Sequence, residues 1–238
     1  MEILSQLGQS IVVRPYVFTF LVAYLFLAHR LWGWPRTLLW LISGYTIAWA
    51  SEYSSIHNGF PYGEYHYIYE SMLGELMVAG VPFFDSLSYP FLIFAGYSTA
   101  EFFMRSNVRS TQAEQESLLH LVKRTLLGAL LTMLLDMIID PVATMGDKWF
   151  LGKIHYYAHP GIYFGVPWSN FAGWFLVAFA VIVFNELCWK RFFRNNCPIA
   201  LLSHCTKNWL YPAFFISIVL FNIAVTFWIS AWKLGMVS

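Results

Sequence analysis

Asp136 and Asp140 stand four residues apart near the end of an apolar run, 118–139, that Asp140-Pro141 closes. On a helix that spacing puts both carboxyls on one face, one turn apart. An aspartate near the centre of a membrane span costs roughly 2.5–3.5 kcal/mol, so such groups usually face a cavity or a partner. Two carboxyls this close and away from water do not both ionise cheaply, and one of them is expected to hold a proton and act as donor. The plain alternative is structural: Asp140 anchors the helix end and Asp136 bonds a Tyr or Trp of a neighbour. Glu52 ends an earlier apolar run on the same expected side of the membrane, so the three carboxyls can share one end of a bundle. Glu101 and Glu186 lie among Arg and Lys toward the other end and read as surface ion pairs. Asp85 follows Pro82 at a depth the pattern leaves open.

Imidazoles offer a rival chemistry. His155 and His159 form an H-x-x-x-H pair, with His57 and His66 on the same expected side, and four such rings could bind a metal. Membrane di-iron oxygenases carry several such boxes together with H-x-x-H-H. Here the histidines total 7, with no H-x-x-H-H, and His29, His120 and His204 fall on the other face. A metal is therefore not expected. Cys188, Cys197 and Cys205 lack a C-x-x-C spacing and read as small apolar fillers. No Ser/His/Asp elbow, phosphate loop or dinucleotide fingerprint is present.

The elements that would hold these groups are set by composition. Of 238 residues 58% are hydrophobic and 11% charged, against about 25% charged in a soluble domain. Too few polar residues remain to coat a water-facing surface, so lipid is the expected solvent. A net charge of +1 gives no reason to expect nucleic acid as a partner. Aromatics reach 20%, which suits headgroup belts and equally a cavity for a long apolar molecule.

Apolar runs of about 20 residues cross a hydrocarbon core roughly 30 Å thick. Such runs lie at 15–31, 37–50, 87–103, 118–139, 170–189 and 210–232. The shorter run 73–84 ends at Pro82 and reads as a re-entrant or broken helix. The expected fold is all-α, a polytopic transmembrane helical bundle of about six spans plus that short element, in one integral membrane domain, residues 1–238. The first run lacks the flanks of a signal peptide and is read as a span. With this count Arg30, Arg36, Arg105, Arg109, Lys123, Arg124, Lys190, Arg191, Arg194 and Lys207 share one side. Arg14, Lys148, Lys153 and Lys233 fall on the other, which places both termini outside the cytoplasm. Two loops rich in Gly, Pro and rings, 58–65 and 163–170, sit at the Asp136 end, where irregular backbone is tolerated if it lines a cavity.

Ser51-Glu52-Tyr53, Gly59-x-Pro61-Tyr62-Gly63-x-Tyr65-x-Tyr67, Leu73-Gly74, Gly80-Val81-Pro82, Asp136-x-x-x-Asp140-Pro141, Trp149 and Tyr163-x-Gly165-Val166-Pro167-x-x-Asn170-Phe171-x-Gly173-Trp174 occur in that order. Over residues 51–174 the chain resembles the membrane hydratases of carotenoid biosynthesis, the CruF-type carotenoid 1,2-hydratases, called bisanhydrobacterioruberin hydratases in one branch. The resemblance implies cofactor-free addition of water to the terminal isopropylidene bond of an acyclic carotenoid, giving a tertiary alcohol. Protonating such an alkene needs a desolvated acid, and rings with a carboxylate can stabilise the tertiary cation that forms. The expected catalytic set is Asp136 and Asp140, as acid and partner or base, with Glu52 positioning water. Tyr65, Tyr163 and Asn170 would orient the water, while Trp149, Trp168 and Trp174 wall the end group. Another isoprenoid-modifying enzyme (cyclase, isomerase or His-metal hydroxylase) or a proton-coupled binding or transport protein would use similar residues. The partners expected are the carotenoid, water and lipid, in a multi-pass protein of the cell membrane.

Overall fold

The computed structural model describes residues 2–105, 118–148, 151–192 and 209–229. Seven helices lie among them: α1 (Glu2–Val13), α2 (Pro15–Trp32), α3 (Trp34–Asn58), α4 (Phe83–Arg105), α5 (Leu118–Ala143), α6 (Trp168–Phe192) and α7 (Leu210–Trp228). Helix α1 precedes the first expected span. Proline at the first position of α2 is pre-set for a helix start. Gly59, at φ 77°, closes α3 by donating its N–H to Ser55 O at 2.9 Å. Helix α3 thus runs beyond the expected end at residue 50, and Glu52 sits inside it.

Helices α2, α5, α6 and α7 are long and apolar enough to cross a membrane. Helices α3 and α4 have 25 and 23 residues, and about 1.5 Å per residue makes them long enough as well. Their lower hydropathy has a packing cause. Helix α4 contacts α2, α3, α5, α6 and α7, and every residue from Tyr89 to Glu101 is buried, so its Ser and Thr face protein. Helix α3 turns Leu38 and Ile42 outward and buries Thr37, Ser43 and Glu52. Where α4 meets α5 the backbones close in on glycine: a Cβ on Gly96 would lie 2.7 Å from Gly128 O and against Thr132.

The expected re-entrant helix over residues 73–84 is not formed. That stretch holds a turn at Gly74 and a short antiparallel hairpin, β2 (Met77–Val78) with β3 (Val81–Pro82), before α4 begins at Phe83. Positive φ at Ala79 and Gly80 makes the tight turn, which an apolar count of the same residues does not register. The hairpin leads from the end of α3 to the start of α4 at one end of the bundle.

A cap closes the end of the bundle where α3 and α5 finish and α4 and α6 begin. Strand β1 (Tyr65–Tyr67) pairs antiparallel with β4 (His155–Tyr157), so Tyr65 faces Tyr157 and Tyr67 faces His155. The all-α expectation therefore misses a small sheet that stitches the two long loops together. Arg14, fully buried, pins the cap to the start of α2 through an ion pair to Glu75 at 2.6 Å and a bond to the Leu151 carbonyl.

At the opposite end, Arg36 and Arg124 pair with Glu186, and Tyr97 donates to Glu186 at 2.6 Å. Arg124 also lies 3.8 Å from Glu101. These groups are buried, not the surface pairs that their basic neighbours suggest. Arg109, Arg194, Lys207, Lys233, Cys197, Cys205, His204 and the end of the last expected run lie outside the described residues.

Candidate functional site

The i, i+4 spacing on α5 delivers Asp136 and Asp140 to one buried face, at 2% and 8% exposure. Asn170, in the first turn of α6, joins them. Its Nδ2 donates to Asp136 Oδ2 at 2.7 Å and to Asp140 Oδ2 at 3.2 Å. From the cap, Tyr157 donates to the same oxygen of Asp140 at 2.5 Å, and His155 Nε2 lies 3.4 Å from Oδ1. The β1–β4 ladder fixes which faces these rings present, because residues alternate along a strand. His155 and Tyr157 therefore point inward together, whereas Tyr156 between them is exposed.

Two more carboxyls share this end. Glu52, on α3, accepts from Ser86 and Tyr89 of α4. Asp85, in the first turn of α4, accepts from Tyr67 Oη at 2.8 Å, and Tyr67 is 3.3 Å from Tyr65 Oη. Asp85 is close enough to His155, Asp140 and Glu52 to interact electrostatically with each. Four carboxyls from three helices thus meet beneath a roof of phenols.

Burial pushes the phenols of Tyr65, Tyr67 and Tyr157 well above their ordinary range, and the carboxylates beside them push the same way. These hydroxyls stay protonated and serve as donors. His155 is subject to opposing effects. Burial disfavours its charge, but the bond to Asp140 and the nearby Asp85 outweigh it and raise the imidazole above its ordinary value.

A cavity of about 100 Å³ opens next to this cluster, between α2, α4, the end of α5 and α7. Its wall is mainly apolar and aromatic, including Phe20, Phe84, Phe91 and Phe221, with Asp85, Ser88 and Asn222 as polar points. Tyr16 and Phe221 stack at 5.5 Å between α2 and α7. A largely apolar hollow with a few convergent polar groups is the usual form of a small-molecule site.

The profile described as "Carotenoid biosynthesis protein" matches residues 11–237. The chain belongs to the carotenoid biosynthesis protein family. Among curated proteins it is similar to the bisanhydrobacterioruberin hydratase of Haloarcula japonica, at 29% identity over 170 residues, 70% of this chain and 52% of that protein. The chain spans about half the length of that curated relative. No solved structure matches it.

In this carotenoid biosynthesis protein the match takes in helices α2–α7 and the cap. Of the expected site residues, Asp136, Asp140 and Asn170 form one bonded unit, with Glu52 and Tyr65 at the same end. Asn170 binds the two carboxyls directly. Trp174 stacks on Tyr89 at 4.0 Å with planes 1° apart, and so backs the Glu52 ligand Tyr89 instead of walling the cavity. Trp168 is 59% exposed on the outer rim. Tyr163 is half-buried and donates to Met137 O at 3.3 Å, on the outside of α5. Trp149 lies outside the described residues.

The four imidazoles of the metal alternative do not converge: His155 is held by Asp140, whereas His57 and His159 are exposed. Sequence reasoning gave no role to Asp85, Ser86, Tyr89 or Tyr157. A usable signal existed for Tyr157, since it alternates with His155 in a short β-favouring run.

Proposed function

We propose that this protein hydrates the terminal isopropylidene double bond of an acyclic carotenoid, giving a tertiary 1-hydroxy end group. The observation that carries the reading is the meeting of Glu52, Asp85, Asp136 and Asp140 under a phenol roof beside a mainly apolar cavity. A carboxyl of the cluster that enters the cycle protonated gives its proton to the alkene, and the cation forms against aromatic faces. The Asp136–Asn170–Asp140 unit, in contact with Tyr157 and His155, holds and returns protons for the cluster. Glu52, bonded to Ser86 and Tyr89, fixes the turn of α4 that carries Asp85. The hydratase relative and the family membership support the same reaction class.

In this reading α2–α7 give about six spans, and the chain works as one multi-pass unit of the cell membrane. The polyene lies between helices and reaches the cavity sideways from lipid, between α2 and α7.

Expression in a host that accumulates lycopene or a similar acyclic carotenoid tests this. Pigments should gain the mass of one or two water molecules, with oxygen drawn from labelled water. Product of unchanged mass would point to a cyclase or isomerase, and label taken from molecular oxygen would point to an oxygenase. Either result overturns the proposal.

A further inference from the structure

The four carboxyls differ in what they face. Glu52, Asp136 and Asp140 are buried and engaged by Ser86, Asn170, Tyr157 and His155. None of the three lines the cavity. Asp85 does. Of the four carboxyl residues, Asp85 is the one set in the wall against which a molecule in that hollow would lie.

We infer that Asp85 is the catalytic acid that passes the proton to the double bond, an inference that rests on the hydration reading above. The O–H bond of its carboxyl breaks as a C–H bond forms at the CH carbon of the (CH₃)₂C=CH– end. Positive charge is left on the carbon bearing the two methyls. Water then forms a C–O bond to that carbon, and the proton it sheds returns to the Asp85 carboxylate. Alkene and water sum to a tertiary alcohol, no electrons enter or leave, and the acid is restored.

Three features around Asp85 favour the transition state over the ground state. Negative charge develops on the carboxyl as the proton leaves, and Tyr67 donates to its Oδ2 at 2.8 Å. The carboxyl also sits in the first turn of α4, where the positive end of the helix dipole stabilises an anion. The opposite charge develops in the hollow, against the rings of Phe84, Phe91 and Phe221.

Water has polar points on the same wall. Ser88 is one turn along α4 from Asp85, and Asn222 faces it from α7. Asn222 spends its Nδ2 on the Ile218 carbonyl at 2.9 Å, which leaves Oδ1 to accept from water. Tyr67 links the acid through Tyr65 to the cap.

The test compares wild type with Asp85→Asn, Asp85→Glu and Tyr67→Phe in a carotenoid-accumulating host, measuring initial hydration rates and the pigment that co-purifies with each protein. Asp85→Asn should lose about 10²–10⁴-fold in rate while retaining bound carotenoid. Asp85→Glu should recover part of the rate. Tyr67→Phe should displace the pH–rate profile, which loss of a merely structural contact would not do. If wild type adds no water to any acyclic carotenoid, the hydration reading itself fails. If wild type hydrates and folded Asp85→Asn hydrates within a few-fold of it, the assignment to Asp85 alone is overturned. Should Asp85→Asn not accumulate, wild-type pH–rate profiles in both Asp85→Glu and Tyr67→Phe overturn it.

Discussion

His155 Nε2 of the cap lies 3.4 Å from Asp140 Oδ1 of α5. The contact joins a loop to a helix, and it ties the closure of the cap to proton concentration. His155 has a folded-state pKa above its unfolded value of about 6.5. A group raised in this way contributes stability that is complete below about pH 6.5 and is lost as the pH climbs through the folded value. The melting temperature of detergent-solubilised protein should therefore fall across that window. His155→Gln should flatten the dependence; equal slopes in both proteins would show that the pair is not the cause.

Asn170→Ala removes the donor that Asp136 and Asp140 share. Leaving a buried acceptor unmet costs about 1–3 kcal/mol, so a lower urea midpoint is expected. Hydration should fall with it, because the carboxyl unit loses its fixed spacing. Rates at wild-type level from this variant would remove Asn170 from the site.

The two tryptophans near the start of α6 should behave oppositely. Trp174→Ala empties a buried stack on Tyr89 and should cost about 3–5 kcal/mol. Trp168 is on the exposed rim, and Trp168→Ala should change stability by no more than about 0.5 kcal/mol. Thermal melts of the pair, side by side, decide this.

Gly96→Ala should destabilise by about 1–3 kcal/mol. The new methyl would run into Gly128 O and Thr132, forcing α4 and α5 apart directly beneath the carboxyls. A melt indistinguishable from wild type would mean that these helices have slack.

Glu186→Gln leaves Arg36 buried without its counter-charge, and breaking a buried pair costs about 3–5 kcal/mol. The site lies at the other end of the bundle. Yield and melting temperature should therefore drop while the rate per folded molecule holds. A matching fall in that rate would show that the two ends are coupled.

Helices α2–α7 and the Asp136–Asp140 pair could be read from residue order, because hydropathy runs and i, i+4 spacing are local properties, whereas α1 had no expected counterpart. Asn170 could be read only through resemblance, since nothing nearby in the chain announces that it will bridge two aspartates of another helix. Three things stayed hidden for physical reasons. Glu52 looked like a helix end because Ser51 to Ser55 is polar, yet Glu52 and Ser55 face a protein interior and the helix continues to Asn58. Asp85 looked indeterminate because an apolar run does not distinguish a dip into lipid from a two-residue hairpin. Glu101 and Glu186 looked superficial because their chain neighbours are basic, whereas the cations that pair with them, Arg36 and Arg124, come from other helices and are buried with them.

Strand β1 is made early in synthesis, but its partner β4 follows only after α4 and α5 have been threaded. Until then Tyr65 and Tyr67 have no ladder, and Asp85 has only half of its roof. The carboxyl cluster and its roof therefore stay unassembled until the later half of the chain has been made. The surroundings of Asp85 are complete only when the later half arrives, so two separately expressed halves of the molecule have in β1 and β4 a built-in means of finding one another.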